Sequence, residues 1–253
     1  MTLSGYDGRI GRYSRELAHE LIDVAAVRPG QRALDVGCGS GALAERLAHL
    51  VGAEQVVAID PDAEAVEACR ARLPGVDVRV GAAEDLPFED DEFDAVLAQL
   101  VVGLLTDAAR GAAEMRRVAR PGAPVATCVW DFGAGMTVLR AFWDAAVERD
   151  PRAAEHDQAS TRPYSTREEL HALWDATGLH DVSSGAMVVG ADYRDFDDLW
   201  APLVSPDGAP GRYFATLDDA QCDALRRGVG DRLHRPRGPF RLTARAWYVV
   251  GRA

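Results

Sequence analysis

The chain has 253 residues, a length that suits one α/β domain with insertions. Its 47% of hydrophobic and 27% of charged residues exclude a wholly disordered chain. Forty acidic residues stand against 28 arginines, with no lysine, and the net charge of −12 argues against general binding to nucleic-acid phosphates.

Apolar stretches are too short to predict a membrane span. The longest covers residues 95–105, well below the roughly 20 residues that a helical span needs. Residues 1–13 lack the apolar centre of a signal peptide. No CxxC pair and no metal-binding His spacing occur, so we expect a cytoplasmic protein without a disulfide framework or a metal. The four cysteines are Cys38, Cys69, Cys128 and Cys222.

Helical and strand patterns alternate along the first half of the chain. Helices are predicted at 15–27, 42–50, 63–73 and 107–119, and strands at 33–36, 56–59, 76–80, 95–102 and 125–130. Strands that alternate with helices pair in parallel through right-handed crossovers. This half therefore predicts a doubly wound, Rossmann-like sheet.

The second half is less regular. Helices are predicted at 137–148 and 167–177 and strands at 182–189 and 240–250. We therefore predict an α/β fold with a mostly parallel, seven-stranded sheet whose last strand is antiparallel. It forms a single domain over residues 1–253: an N-terminal lid or helix at 1–30, a core at 31–130, and inserted helical cap segments at about 131–165 and 194–238.

A glycine-rich turn joins the first predicted strand to the next helix. Residues 34–41 read Leu-Asp-Val-Gly-Cys-Gly-Ser-Gly, and glycines there let backbone N–H groups come close to a ligand. Asp60 lies at the end of the following strand, where a carboxylate can accept both hydroxyls of a ribose. The two features together predict a nucleoside site.

The turn alone does not identify the ligand, because Gly37-x-Gly39-x-x-Ala42 also fits a dinucleotide fingerprint. Asp35 places a negative charge where a pyrophosphate would approach, which favours a ligand that carries a cation. A nicotinamide-dependent oxidoreductase with a Tyr-x-x-x-Lys pair is impossible without lysine. Alternatively, the glycine turn binds no ligand and serves only the packing of the helix against the strand.

The motifs occur in an order that resembles a known family. They are Asp35–Gly41, Asp60, residues 80–88 (Val-Gly-Ala-Ala-Glu-Asp-Leu-Pro-Phe), residues 93–96 (Phe-Asp-Ala-Val) and residues 117–122 (Arg-Val-Ala-Arg-Pro-Gly). The set resembles class I S-adenosylmethionine-dependent methyltransferases, in particular the branch with the ubiquinone and menaquinone methyltransferases and many small-molecule enzymes. The resemblance is strong over residues 30–130.

The resemblance implies S-adenosyl-L-methionine as cofactor, S-adenosyl-L-homocysteine as product, and a set of cofactor-binding residues. These are Asp35, Gly37, Cys38, Gly39, Ser40, Asp60, Pro61, Ala82, Ala83, Glu84, Gln99 and Leu100. Asp35 is expected to face the ammonium or sulfonium side of the cofactor, and Asp60 to bind the ribose. The adenine would meet Pro61 and the backbone at 82–83, where relatives often carry Asp or Asn in place of Ala82.

Two of the implied features keep an alternative. Gln99 stands where relatives place Ser, Thr or Asn near the methionine moiety, but it can equally be a polar residue satisfied inside the sheet. The segment Tyr6–Arg15 resembles a narrower group in which a Gly-Arg-aromatic-Ser-Arg run precedes the first helix. It can form a lid over the cofactor or the solvated start of a helix.

The resemblance implies methyl transfer to a small-molecule acceptor by in-line displacement. The acceptor, its attacking atom, the use of a base and the oligomeric state stay open, and so does a non-catalytic, cofactor-binding regulator or partner subunit. Asp131, His156 and Tyr164 are candidate bases, each with a structural alternative, and some relatives carry a His at the position of Gly103.

Two further groups of side chains could contact the acceptor. Aromatic residues at helical spacing could line an apolar site, although core packing is the commoner role; they are Trp143, Trp174, Trp200, Tyr213 and Phe214. A basic cluster could meet an anionic acceptor or be solvated. It comprises Arg232, His234, Arg235, Arg237 and Arg241.

Overall fold

The computed structural model describes residues 10–253, so that residues 6–9 of the predicted lid lie outside the described residues. The chain divides into two compact units. The sheet unit comprises residues 14–129, 164–187 and 246–253, and the helical unit comprises the described residues up to Tyr13 with 130–163 and 188–245. Both predicted insertions lie almost entirely in the helical unit. The predicted single domain stays a prediction.

Seven strands form one sheet in the order β3-β2-β1-β4-β5-β7-β6. The strands are β1 (Ala33–Val36), β2 (Val56–Asp60), β3 (Asp77–Val80), β4 (Ala95–Gln99), β5 (Pro124–Trp130), β6 (His180–Tyr193) and β7 (Phe240–Arg252). Strands β1 to β5 pair in parallel. The sheet is mostly parallel with one antiparallel strand, which confirms the predicted fold class.

The described residues contain ten α-helices. They are α1 (Ser14–Ala25), α2 (Ala42–Val51), α3 (Ala63–Arg72), α4 (Ala108–Arg117), α5 (Thr137–Arg149), α6 (Gln158–Thr161), α7 (Arg167–Asp175), α8 (Phe196–Leu203), α9 (Ala209–Phe214) and α10 (Asp219–Arg232). The region 194–233, predicted as irregular and partly helical, contains the last three of them.

Apolar runs explain why the central strands form and where they lie. Every residue of β1 and β5 is buried, as is β4 up to Ala98, which is typical of parallel strands covered on both faces. Strand order reverses between β1 and β4, and ligands of open α/β sheets bind beyond the carboxyl ends of the strands at such a reversal.

The predicted strand over 95–102 is too long, because β4 ends at Gln99. Leu100 has a φ of 64°, a left-handed conformation that cannot continue a strand. Its backbone N–H donates to the carbonyl of Cys128 at 2.9 Å, which holds the bend in place. Residues Val102–Leu104 then form a 3-10 turn. Apolar periodicity does not encode this bend, since Val101 and Val102 would also suit a strand.

The helical unit has its own aromatic core. Phe142 on α5 lies 5.0 Å from the Trp143 ring, 6.4 Å from that of Trp200 and 6.4 Å from that of Tyr213, between ring centroids. Trp200 contacts Phe214 edge to face at 5.5 Å. No helix within residues 10–253 is both long and apolar enough to cross a membrane.

Candidate cofactor site

The glycine turn after β1 is fixed against the end of β2. The backbone N–H groups of Gly37 and Cys38 both donate to the carbonyl of Ile59, at 2.7 and 3.0 Å. A β-carbon at Gly37 would lie 2.4 Å from a methyl carbon of Val101, so only glycine fits, and its φ is +72°. Gly39, with a φ of +52°, has open space on the corresponding side. The turn therefore packs tightly against Val101 at Gly37, whereas no atom lies close to the side-chain position of Gly39.

Asp60 ends β2 with its carboxylate held by two backbone donors. The N–H of Gly39 donates to Oδ2 and the N–H of Asp62 donates to Oδ1, each at 2.9 Å. A carboxylate oxygen has more than one acceptor position, so each keeps capacity for a hydroxyl. Pro61, beside it, is exposed and precedes α3, whose N-terminal residues are capped by Asp62. The direction of the Asp60 carboxylate is thus set by the backbone of the turn and of the loop that follows β2.

Asp35 is only 1% exposed, and its Oδ2 atom has no hydrogen-bond partner among the described residues. Burial raises the pKa of the Asp35 carboxyl well above its usual range, and the neighbouring Cys69 and Asp60 add to this rise, while a hydrogen bond from the Ala44 backbone opposes it. A buried acceptor without a partner is costly. A donor or a cation near Oδ2 would relieve that cost.

Cys38, within the turn, lies against Cys69 of α3, and all four cysteines are free thiols. The hydrogen bond between the two thiols, together with burial, raises the pKa of Cys38, and the same bond lowers that of Cys69. A β-carbon at Gly41 would lie 2.8 Å from Cys69 Sγ. The carbonyl of Ser40 accepts from Arg72 at 3.2 Å. Cys69 and Arg72 of helix α3 therefore contact the turn at Cys38, Ser40 and Gly41.

Gln99 and Leu100 lie at the carboxyl end of β4. The side-chain amide of Gln99 donates through Nε2 to the carbonyl of Ser14 at 3.1 Å, and its Oε1 is buried without a partner among the described residues. The alternative, in which Gln99 is a polar residue satisfied inside the sheet, therefore holds for the NH₂ group of its amide and not for the oxygen. The left-handed Leu100 follows, and such outliers concentrate at functional sites.

Residues 82–84 follow β3 on the far side of the turn. The carbonyl of Ala82 accepts from Asp85 N–H at 3.2 Å, and Ala83 is buried against α4. Glu84 Oε1 accepts from the backbone N–H of Thr106 at 2.9 Å. The Glu84 side chain thus holds the segment that precedes α4.

The candidate bases have structural partners. Asp131 accepts through Oδ2 from Arg245 Nε at 2.7 Å and through Oδ1 from Ala134 N–H at 3.1 Å. His156 is exposed, with its ring 5.6 Å from that of Tyr213. Tyr164 packs against the core of the sheet unit with a φ of 55°. No catalytic role is assigned to the three.

The predicted basic cluster is largely neutralised by carboxylates. Arg232 pairs with Glu148 at 2.5 Å, Arg241 with Asp192 at 3.0 Å, and Arg235 with Asp231. The aromatic residues named from the sequence are core residues: Trp174 is fully buried in the sheet unit, where it donates to the Val125 carbonyl at 3.1 Å, and the other four form the aromatic core of the helical unit.

The described part of the run Tyr6–Arg15 is not a solvated helix start. Arg12 pairs with Asp198 at 2.9 Å, and the fully buried Tyr13 contacts the Trp130 ring edge to face and the Tyr193 hydroxyl at 3.2 Å. A lid function stays a prediction. Within residues 10–253, no three His, Cys, Asp or Glu side chains form a group that could hold a metal.

Ser14 is a residue near the end of β4 that the sequence does not single out. Its only signal in the sequence is its place in the Gly-Arg-aromatic-Ser-Arg run. Ser14 is the first residue of α1, is 5% exposed, and has a buried hydroxyl without a partner among the described residues.

Known proteins share sequence or fold with this chain. Residues 34–127 match the family described as a methyltransferase domain. A demethylmenaquinone methyltransferase of Renibacterium salmoninarum is 30% identical over 64% of this chain and 72% of its own length. A phosphoethanolamine N-methyltransferase of Haemonchus contortus, solved with S-adenosylhomocysteine, shares the fold with a TM-score of 0.59 at 16% identity, over 94% of this chain and 52% of that one.

The chain therefore belongs to the family of S-adenosylmethionine-dependent methyltransferases that includes the quinone methyltransferases. It spans half or less of the length of several other curated relatives. One is an uncharacterized methyltransferase of Mycobacterium tuberculosis, 37% identical over 48% of this chain and 50% of the relative.

Proposed function

We propose that the protein binds S-adenosyl-L-methionine at the carboxyl ends of β1, β2 and β4 and transfers its methyl group to a small-molecule acceptor. The observation that carries the proposal is the Asp60 carboxylate, oriented by Gly39 and Asp62 beside an open glycine turn. A ribose has the paired hydroxyls that such a carboxylate accepts. The cofactor residues named from the sequence belong to this proposal.

The residues present suit the charges of that cofactor. Its amino-acid end carries an ammonium and its sulfur is a cation, and Asp35 Oδ2 and Gln99 Oε1 are buried acceptors without a protein partner. A bound cation would lower the pKa of Asp35 towards that of an ordinary carboxyl, because the charged form gains an opposite charge nearby. The adenine contact would rely on backbone groups at residues 82–83, since Ala82 has no polar side chain.

A dinucleotide suits the same turn poorly. A pyrophosphate needs backbone N–H groups that point freely at its oxygens, but those of Gly37, Cys38, Gly39 and Gly41 already donate to protein oxygens. The Asp60 carboxylate would add repulsion between like charges. Both features disfavour a nicotinamide dinucleotide.

When bound, the cofactor would supply a methyl group on a sulfonium: the acceptor atom would bond to the methyl carbon in line while the carbon–sulfur bond breaks and S-adenosyl-L-homocysteine leaves as a neutral thioether. The part of this chain is to fix the geometry: Asp60 holds the sugar, and the bend at Leu100 fixes Gln99 beside the turn. Orientation of this kind supplies much of the acceleration of a displacement between two bound reactants. No base from the chain is part of the proposal. Asp131, one of the candidate bases, already accepts hydrogen bonds from Arg245 and from the backbone N–H of Ala134.

Relatives named for their substrates support a small-molecule acceptor, since the 30% identical relative is named for demethylmenaquinone. Calorimetry with S-adenosylmethionine, S-adenosylhomocysteine and NAD tests the cofactor. We expect the first two to bind and NAD not to bind; absence of binding by both methionine derivatives would overturn the proposal. Release of S-adenosylhomocysteine with a panel of quinols, phenols and amines then tests transfer, and binding without turnover on any acceptor would favour the non-catalytic alternative.

A further inference from the structure

The side chain of Gln99 meets the backbone of Ser14 where α1 begins and β4 ends. Gln99 is the last residue of β4, and its Nε2 donates to the carbonyl of Ser14, the first residue of α1, at 3.1 Å. This bond uses the donor half of the Gln99 amide and no part of the Ser14 hydroxyl. The contact therefore brings the two residues together and engages neither Ser14 Oγ nor Gln99 Oε1.

Those remaining atoms are buried and unused. Ser14 Oγ and Gln99 Oε1 have almost no exposure to solvent and no hydrogen-bond partner among the described residues, and Ser14 as a whole is 5% exposed. Buried polar atoms nearly always have a hydrogen-bond partner in folded proteins. Two such atoms without a partner, on residues that contact each other, therefore indicate that a ligand supplies the partner. One is an acceptor, and the other is a hydroxyl that can donate.

The side chain of Gln99 lies on the same face of the sheet as that of Asp35. Asp35 of β1 is level with Leu97 of β4 in the parallel register, and side chains two residues apart share a face. Gln99, two residues after Leu97, therefore continues this face at the carboxyl end of β4. Asp35 Oδ2, a third buried atom without a hydrogen-bond partner among the described residues, belongs to a side chain on this face. Two buried acceptors thus lie on one face of β1 and β4, and the buried hydroxyl belongs to the residue that contacts Gln99.

We propose that Ser14 is a positioning residue for the amino-acid end of S-adenosylmethionine, with its hydroxyl donating to the α-carboxylate while Gln99 Oε1 accepts from the α-ammonium. The inference rests on the proposed function. A zwitterion needs hydrogen-bond donors for its carboxylate and acceptors for its ammonium. The Ser14 hydroxyl can donate, and Gln99 Oε1 and Asp35 Oδ2 can accept.

The test compares S-adenosylmethionine with decarboxylated S-adenosylmethionine, which keeps the sulfonium and the amine but lacks the carboxylate. Dissociation constants are measured by calorimetry for the wild type, Ser14→Ala and Gln99→Met. We expect Ser14→Ala to weaken S-adenosylmethionine about 5- to 10-fold, as for the loss of one hydrogen bond, and to leave the decarboxylated ligand unchanged. Gln99→Met should weaken both ligands, because both carry the amine.

Ser183→Ala, on the exposed face of β6, removes the same hydroxyl far along the sheet and should change neither constant. Equal losses for both ligands with Ser14→Ala, or no loss for either, would overturn the assignment of Ser14. If Ser14→Ala does not fold, Gln99→Met is decisive, and unchanged affinity for both ligands would refute the pair. Failure of the wild type to bind S-adenosylmethionine would instead overturn the proposed function.

Discussion

The backbone N–H of Gly39 donates to Oδ2 of Asp60 at 2.9 Å, joining the glycine turn after β1 to the tip of β2. The same carboxylate accepts from Asp62 N–H, so both oxygens have a fixed direction. The turn and the acidic residue are therefore parts of one hydrogen-bonded structure. A ligand that meets this carboxylate does not have to order it first.

Asp60→Ala should weaken S-adenosylhomocysteine by about 1.5–3 kcal/mol, the range for hydrogen bonds to a charged group. The change also removes the acceptor for Gly39 N–H, so the free energy of unfolding without ligand should fall by about 1 kcal/mol. Calorimetry and urea denaturation measure the two effects. Asp85→Ala is the control, since that side chain is 89% exposed and its nearest Arg110 contact is 3.7 Å; equal affinity of both variants would contradict the assignment of Asp60.

Substitution of Gly37 should be far more harmful than that of another left-handed glycine. Gly37→Ala combines the left-handed conformation, about 1–2 kcal/mol, with a collision against Val101 that costs about 1–3 kcal/mol more. Gly30→Ala has a φ of +81° and no atom within 4 Å, so it isolates the first cost. Chemical denaturation should show the difference. Equal midpoints and slopes for the two variants would mean that Val101 does not press on the turn.

The stability of the free protein should fall as pH rises above about 4, the ordinary pKa of an aspartate, because the pKa of buried Asp35 is raised. In that window the folded state holds a proton that the unfolded state has lost, and the free energy of unfolding therefore decreases with pH. Asp35→Asn cannot ionise and should flatten this part of the curve. Thermal denaturation from pH 4 to 9 measures it, with Asp85→Asn as control; an unchanged slope would show that Asp35 is charged throughout.

The ion pair of Arg12 and Asp198 should stabilise the helical unit. Asp198 is 10% exposed and also accepts from Arg194 N–H at 3.1 Å, and the Arg12 bond holds its pKa well below the usual range. Asp198→Asn should lower the free energy of unfolding at pH 7 by about 2 kcal/mol, since hydrogen bonds to a charged group are lost. In the wild type this contribution is present above the unfolded pKa of about 4 and is lost as pH falls through the lower folded pKa.

Asp150→Asn is the matched control for that pair. Asp150 binds Arg152, whose side chain is 83% exposed, and solvent-exposed ion pairs contribute little to stability. Urea denaturation at pH 7 and pH 3 compares the variants. The difference between Asp198→Asn and the wild type should shrink at pH 3; a difference of the same size at both values would attribute the loss to something other than the charge.

Most of the fold could be predicted because its signals are local. Strands β1, β2 and β5 and helices α2, α3 and α5 occur within one or two residues of the predicted bounds. Their ends coincide with glycine, proline or a capping Asp, which act on the residues beside them. The bend at Leu100 was missed because it depends on the bond from its N–H to Cys128, a residue on the next strand.

By itself, the sequence determined the glycine turn after a buried strand and the carboxylate at the tip of the next one, since each is written in a few adjacent residues. Only the tertiary structure decided which polar atoms are satisfied. Ser14 and Gln99 are 85 residues apart, and Arg245 and Asp131 are 114 apart. A side chain's partner depends on where the backbone brings distant residues, and periodicity along the chain carries no record of that path.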